Sequence, residues 1–113
     1  PDAASELIRA IAARLNDAAK SALASRIDTA EFGIFASGVG DADAVKMAHR
    51  LIEALNVPIA WRGSSLSLGA SCGVAVLGKD GDDAQTLLRH ARLALETAQL
   101  SLSRIGFFTP ALD

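Results

Sequence analysis

The run Ala70–Leu77, within "LGASCGVAVLG", constrains the fold most because it is nearly continuously apolar. A strand with apolar side chains on both faces needs cover on both faces, which helices packed on a sheet provide. Along the whole chain, the hydrophobic pattern gives the order helix, strand, strand, helix, strand, strand, helix, strand. This order predicts an α/β fold, an α+β two-layer sandwich in which helices pack on a mixed sheet.

Three amphipathic helices are predicted from apolar residues at helical spacing. The first runs from Ala3 to about Ala22, and the second begins at an N-cap, Asp41, and ends before Pro58. The third follows a capping box that starts at Asp82 and reaches about Ala98. The strands are predicted at Leu23–Ile27, Phe32–Ala36, Ile59–Arg62, Leu66–Leu77 and Ile105–Thr109, with a turn at Gly63-Ser64.

Size and charge exclude several classes of function. The 113 residues are enough for one domain with a core, and 11 basic against 13 acidic residues lie in no block of one sign. We therefore expect no nucleic-acid or anionic-membrane surface. No apolar run reaches the ~20 residues of a membrane span, and no signal-peptide pattern is present. The one cysteine, Cys72, lies in the apolar run and is predicted to be a buried thiol in a protein of the reducing cytoplasm.

Other reactive or bulky residues have ordinary structural interpretations. His49 and His90 lie off the apolar stripes of their helices and are predicted at the surface. Trp61 is expected to pack in the core or at a sheet edge, or else to form part of a partner surface. An acidic cluster lacks the alternating ligands and distal Glu of a calcium loop, which favours capping and solvation; it contains Asp80, Asp82 and Asp83.

The segment Ser25–Gly38, "SRIDTAEFGIFASG", resembles the strand-turn-strand signature of GGDEF domains, whose active members are diguanylate cyclases. Arg26, Ile27, Glu31 and Phe32 match that signature. Three further segments resemble the family in the same order, and together they cover almost the whole chain: "AASELIRAIAARL", "LGASCGVAVL" and "DDAQTLLRHARLALETAQ". The resemblance implies a nucleotidyl-cyclase-like mixed sheet with flanking helices, from which this chain lacks the first strand.

The same resemblance implies that the catalytic turn is degenerate. Asp28 and Thr29 occupy the positions of the glycine pair, which lets the backbone approach GTP in active members. Ala30 occupies the position of a carboxylate that binds catalytic Mg²⁺, and a methyl group binds no metal. Of the turn Asp28–Phe32, only Glu31 and Phe32 are kept. We therefore expect no catalytic residue, no metal and no cofactor.

Other positions implied by the resemblance also lack the residues that contact the nucleotide in active members. Ser5 stands where the family has a guanine-contacting Asp, and Gln99 stands where it has a phosphate-binding Lys. Arg104 is a weak candidate for a phosphate contact because its spacing differs by about one residue. The Arg-x-x-Asp motif of product inhibition is replaced by Ala19 and Ala22. A cyclic di-GMP inhibitory site is therefore not expected.

Several alternatives stay open from the sequence. Glu31 is expected to hydrogen-bond within the turn, while Asp28 could replace the missing ligand only through a shift of two residues, which the strict geometry of Mg²⁺ disfavours. The first strand and its carboxylate either lie outside these 113 residues, which we expect, or are replaced by a neighbouring chain.

The expected organisation is a degenerate GGDEF domain at residues 1–108 and the start of a connector at 109–113, where "FFTPALD" resembles the link to an EAL domain. The leading hypothesis is a non-catalytic domain that regulates or contacts an adjacent EAL-type domain or another signalling protein. The alternatives are a sensor that binds GTP or cyclic di-GMP weakly without turnover, and an active cyclase. No nucleic acid and no membrane insertion are expected.

Overall fold

A computed structural model describes residues 3–19, 23–28, 31–35 and 40–113. Helices and strands follow the predicted order, except that three strands instead of two lie between the second and third helices, and the mixed helix and sheet class is confirmed. The elements are α1 (Ala3–Ala19), β1 (Leu23–Asp28), β2 (Glu31–Phe35), α2 (Asp41–Asn56), β3 (Ile59–Trp61), β4 (Ser64–Leu66), β5 (Cys72–Val74), α3 (Ala84–Gln99), β6 (Ile105–Phe107) and a final 3₁₀ turn (Pro110–Leu112). Within the described part of the chain, no helix is both long and apolar enough to cross a bilayer.

The described strands form three two-stranded ladders. β1 pairs with β2 and β3 with β4, both antiparallel, while β5 and β6 are parallel. The long strand predicted over Leu66–Leu77 is wrong, because β4 ends at Leu66 and β5 covers only Cys72–Val74. An apolar run indicates that residues are buried, but a strand also needs a partner strand along its length. Here β6 pairs with three residues, Cys72–Val74.

Helix α3 connects β5 to β6 and packs against one face of their ladder at backbone distance. Gly73 and Gly106 are opposite residues in the ladder. A Cβ on Gly106 would lie 2.9 Å from the Ala98 backbone nitrogen, and one on Gly73 would lie 2.8 Å from the Leu95 Cα. Those separations are shorter than van der Waals contact, so both positions require glycine. Ala94 and Ala98 of the helix are fully buried in this contact.

The other face of the β5–β6 ladder packs against α2 through side chains. Ala48 and Ile52 of α2 form a buried cluster with Ile105, and Cys72 and Val74 lie against that cluster. Alternation along the strands explains the division, since neighbouring residues point to opposite faces. Helices therefore cover both faces of the ladder, as the apolar run predicts.

Helices α1 and α2 pack together through Leu15 and Leu51, which are both buried. Each helix also carries an arginine whose side chain donates hydrogen bonds to backbone carbonyls at the C-terminal end of the other helix. Arg14 donates to backbone carbonyls at the end of α2, among them Ala54 at 3.3 Å, and Arg50 Nε donates to the Ala18 carbonyl at 2.7 Å. The last carbonyls of a helix have no partner within the helix, so these bonds satisfy acceptors that would otherwise need water.

A tight turn at Arg62 and Gly63 joins β3 to β4, one residue earlier than the predicted turn. Both residues have positive φ, 50° and 79°, which is the geometry of a two-residue hairpin. Arg62 is held there by Glu6, with 2.8 Å between Nη2 and Oε2, and its guanidinium lies 5.1 Å from the Trp61 ring centre. Trp61 is thus partly buried in the hairpin, consistent with packing at a sheet edge.

The helix starts differ from the prediction by one residue. Gly40 is the N-cap of α2 and Asp41 its first residue, so the predicted Asp41 cap is wrong. The predicted Asp82 cap is also wrong, because Asp83 caps α3 by accepting the Thr86 backbone N–H at 2.8 Å. Hydrogen bonds from Thr86 lower the pKa of the Asp83 carboxyl. Two adjacent aspartates have the same capping chemistry, and the packing of the helix decides which of them serves.

Candidate functional site

The segment that resembles a catalytic turn forms the end of the β1–β2 hairpin. Asp28 is the last residue of β1, Glu31 is the first residue of β2, and the two are opposite each other in the ladder. Phe32 pairs with Arg26 further along. The predicted strand-turn-strand is therefore present. Thr29 and Ala30, at the turn itself, lie outside the described residues.

The hairpin register shifts between Arg26 and Asp28, which marks a bulge or irregularity immediately before the turn. A bulge places two residues of one strand opposite one of the other and bends the strand locally. The backbone that carries Asp28 is consequently not a continuation of the regular β1 ladder. Such bends are frequent beside functional turns.

The residue types at this turn do not fit the magnesium site that active members of the resembled family have there. Mg²⁺ requires oxygen ligands in near-octahedral geometry, and Ala30 supplies no side-chain oxygen where the resemblance implies a carboxylate. Elsewhere in the described residues, no group of three or more His, Cys, Asp and Glu side chains is placed to hold a metal ion. We therefore derive no metal-dependent step for this chain.

Arg104, the weak candidate for a phosphate contact, lies in the loop between α3 and β6. Its Nε donates to the Ala70 carbonyl at 3.3 Å, and its Nη1 donates to the Gln99 carbonyl at 3.4 Å. Its own carbonyl accepts the Cys72 N–H at 2.8 Å, which extends the β5–β6 ladder by one bond. Its φ of 62° is unusual for a side-chain-bearing residue. Two of the five guanidinium N–H donors of Arg104 are thus directed at backbone carbonyls, one before β5 and one at the end of α3.

The other implied positions lie on the helices. Ser5 is in the first turn of α1, Gln99 is the last residue of α3, and Ala19 is the last residue of α1, whereas Ala22 lies outside the described residues. A glutamine at the end of α3 carries no charge to bind phosphate. Ser5, Ala19 and Gln99 therefore lie on helices without the residue types that the resemblance implies there.

Cys72 behaves as the sequence predicts. The thiol lies partly buried against the α2 face of the ladder. Burial raises the pKa of Cys72 to about 11, because a thiolate is poorly solvated there. The thiol is thus a packing group and a poor nucleophile.

The structure corrects the prediction for His90 and reveals a polar cluster that the sequence pattern missed. His49 is exposed as predicted, but His90 of α3 is 9% exposed, and its side chain lies against Asp80 and the C-terminal residues. Its ring stacks on Phe108, with centroids 3.8 Å apart, and its Nε2 lies 3.3 Å from Asp113 Oδ2. The contacts come from residues distant in sequence, so local helical periodicity contains no signal for them.

Comparison with known proteins identifies the family that this hairpin and its helices represent. A family model described as "Diguanylate cyclase, GGDEF domain" matches residues 2–103. The chain belongs to the GGDEF family. The match spans nearly all the described elements, including the hairpin, so the changed residues at 28–30 occur within an otherwise recognisable GGDEF domain.

Relatives of this GGDEF domain include much longer proteins. It is 37% identical over 93 residues to an uncharacterized signaling protein of Caulobacter vibrioides, covering 80% of the chain and 12% of the relative. It is 29% identical over 99 residues to the cyclic di-GMP phosphodiesterase NbdA of Pseudomonas aeruginosa, covering 87% of the chain and 13% of that protein. The chain thus spans about one eighth of these two relatives.

A solved structure confirms the fold of the GGDEF domain. An X-ray structure of an EAL/GGDEF domain protein from M. capsulatus superposes with a TM-score of 0.86 at 28% identity. The alignment covers 94% of this chain and 70% of that one. The mixed helix and sheet architecture is therefore that of a GGDEF domain.

Proposed function

We propose that this GGDEF domain makes no cyclic di-GMP and acts by contact with another domain or protein in cyclic di-GMP signalling. The observation that carries the proposal is Ala30, at the position where active members place a metal-binding carboxylate. Removing one well-placed group that stabilises transition-state charge typically costs ~3 kcal/mol, which is a rate factor above 100. A domain that keeps the fold and loses this group retains its surfaces but not its chemistry.

Three further substitutions support the loss of substrate recognition. Asp28 and Thr29 introduce side chains at positions that are glycine in active members, where a Cβ would crowd the nucleotide. Gln99 cannot supply the positive charge expected at the end of α3. The remaining cation, Arg104, already donates to the backbone carbonyls of Ala70 and Gln99.

The proposed partner is an adjacent EAL domain, in a cytoplasmic protein. The M. capsulatus structure belongs to an EAL/GGDEF domain protein, and NbdA is named as a cyclic di-GMP phosphodiesterase. Residues 109–113 then begin the connector that follows the domain at 1–108. In this arrangement any enzymatic activity belongs to the attached domain, and the GGDEF domain adjusts it through contact.

Calorimetric titration with GTP in the presence of Mg²⁺ tests the proposal against its main alternative. We expect no binding in the micromolar range, because both the glycine pair and the metal carboxylate are replaced. Titration of an active GGDEF cyclase under the same conditions provides the positive control. Micromolar binding without turnover would replace the contact role with a nucleotide-sensing role.

A further inference from the structure

The C-terminal residues of the chain are fastened to α3 at two points. We call the group Arg89, His90, Phe108 and Asp113 the C-terminal clasp. Phe108 is buried and its ring stacks on the face of His90 within 8° of parallel. Asp113 pairs with Arg89 and approaches the edge of the same imidazole ring. One histidine therefore contacts both ends of the segment 108–113.

The inner end of this segment belongs to the core. The Phe108 N–H donates to the Val74 carbonyl at 2.9 Å, which continues the β5–β6 ladder beyond β6. Phe108 is 6% exposed. Separating it from His90 would break ladder and stacking contacts together.

The outer end is held by exposed charges. The side chains of Arg89 and Asp113 are 56% and 43% exposed, and Arg89 Nη2 donates to Asp113 Oδ2 at 3.2 Å. The Arg89 hydrogen bond is the main cause that lowers the pKa of the Asp113 carboxyl. Exposed ion pairs are weak and are screened by salt, so this end can open while the inner end stays closed.

Hydrogen-bond polarity makes Arg89 the bridging member. His90 Nδ1 faces the Asp80 backbone carbonyl, which only accepts, so this nitrogen carries the hydrogen. In the neutral ring Nε2 is then an acceptor, and it lies near the acceptor oxygen of Asp113. Arg89 Nη2 lies 3.2 Å from His90 Nε2 and donates both to this nitrogen and to Asp113 Oδ2. One donor group therefore bridges the two neighbouring acceptors.

We propose that the clasp gives the segment 108–113 a fixed inner end and a releasable outer end, with Arg89 as the group that closes it. Opening would redirect the chain beyond Thr109 without loosening the β5–β6 ladder. The consequence for signalling rests on the proposed function, because the direction of residues 110–113 sets where an attached domain would lie. The clasp itself is a property of the 113-residue chain.

The test compares two single substitutions that each break one exposed arginine–carboxylate pair. Arg89→Gln opens the clasp, and Glu6→Gln breaks the Glu6–Arg62 pair, whose side chains are similarly exposed at 40% and 53%. Amide exchange with water is measured by NMR at pH 8, where histidine side chains are ordinarily neutral. The reporters are Leu112 and Asp113, whose N–H groups donate within the final turn, and Phe108, whose N–H donates to the ladder.

In Arg89→Gln we expect exchange at Leu112 and Asp113 to rise about two- to fivefold, the change that loss of an exposed ion pair brings. Phe108 should not change, and Glu6→Gln should change none of the three. Asp113→Asn should open the clasp less than Arg89→Gln, because an amide N–H can donate to His90 Nε2. In the unsubstituted chain, 0.5 M salt should move Leu112 in the same direction as Arg89→Gln, which provides a test that needs no variant.

Three results would overturn the clasp: unchanged exchange at Leu112 in Arg89→Gln and in salt, a parallel rise at Phe108, or a larger effect from Asp113→Asn than from Arg89→Gln. All of these measurements lie within residues 1–113. Their failure would remove the clasp and leave the proposed contact function intact, and failure of that function would leave the clasp unaffected.

Discussion

The two faces of the β5–β6 ladder are packed in different ways. On one face, Gly73 and Gly106 bring the strands against the backbone of α3. On the other face, Ile105 and Cys72 meet α2 through side chains. Ile105 and Gly106 are neighbours in sequence. Ile105 contacts side chains of α2, which can adjust their positions, whereas Gly106 lies against the backbone of α3, which cannot. The same strand should therefore tolerate change on one face and not on the other.

This difference shows which packing of the GGDEF domain does not involve the β1–β2 hairpin. The glycine face fixes α3, and α3 carries Gln99 at its end and the C-terminal clasp on its side. Asp28 and Glu31, at the end of the hairpin, belong to another ladder, β1–β2. A change at either residue therefore alters no residue of α3 or of the β5–β6 ladder.

Gly106→Ala should have the largest effect. Its methyl group would press on backbone atoms of Ala94 and Ala98, so α3 must move away from the ladder. We expect a loss of about 3 kcal/mol or more in the free energy of unfolding, at the upper end of the usual cost of overpacking. Urea unfolding measures this free energy.

Gly69→Ala is the matched control. A Cβ at this position meets no atom within 4 Å, so the substitution should change the free energy of unfolding by less than about 0.5 kcal/mol. Equal losses in the two variants would show that the glycine face is not specially tight.

The reactivity of Cys72 should show the second largest effect and reports on the α2 face. With a pKa of about 11, the native thiol has about a hundredfold less thiolate at pH 8 than an unburied cysteine, and should react correspondingly slowly. Alkylation is followed by mass spectrometry in buffer and in urea. Equal rates in the two conditions would mean that the α2 face does not shield the thiol.

Ile105→Val should have a moderate effect, of about 1 kcal/mol, because it removes one methylene from a residue that is 7% exposed. Compared with Gly106→Ala, it tests the two faces at adjacent positions of one strand. Urea unfolding again provides the free energies. A cost as large as that of Gly106→Ala would remove the distinction between the faces.

Asp83→Ala should have the smallest effect, because Asp83 is an exposed cap at the start of α3, away from both ladder faces. Its pKa is lowered in the folded chain, so the folded state binds fewer protons and its contribution is present above the ordinary carboxyl pKa. That contribution is lost as the pH falls through the folded pKa. The difference between Asp83→Ala and the unsubstituted chain should therefore be seen at pH 7 and diminish as the pH falls below the ordinary carboxyl range. Asp82→Ala, at the neighbouring aspartate that does not cap α3, is the control and should cost less stability at pH 7.

Most of the architecture could be predicted from the sequence because it follows from local periodicity. The helix ends near Asn56 and Gln99 and the β1–β2 hairpin agree with the pattern of apolar residues. The long strand over 66–77 could not be predicted correctly, since pairing depends on a partner strand distant in sequence. The choice of Asp83 over Asp82 depends on how α3 packs, which local capping chemistry does not specify.

The candidate site was predictable only in part, for a similar reason. The identities of Asp28, Thr29 and Ala30 are read directly, and the hairpin that carries them was expected. The burial of His90 was not, because its neighbours Asp80, Phe108 and Asp113 come from a loop and from the C-terminal segment. Contacts between distant residues also hold Arg104 against the carbonyls of Ala70 and Gln99.

The most direct test of the central claim is the formation of cyclic di-GMP from GTP and Mg²⁺, measured by mass spectrometry. The assay includes the 113-residue chain and any longer form of the protein that carries it, with an active GGDEF cyclase in parallel. We predict no product above the protein-free background, because the turn at residues 28–30 has neither the glycines nor the metal carboxylate. Product that forms with this domain and disappears when Glu31 is replaced by Ala would contradict the proposal that the domain is catalytically inactive.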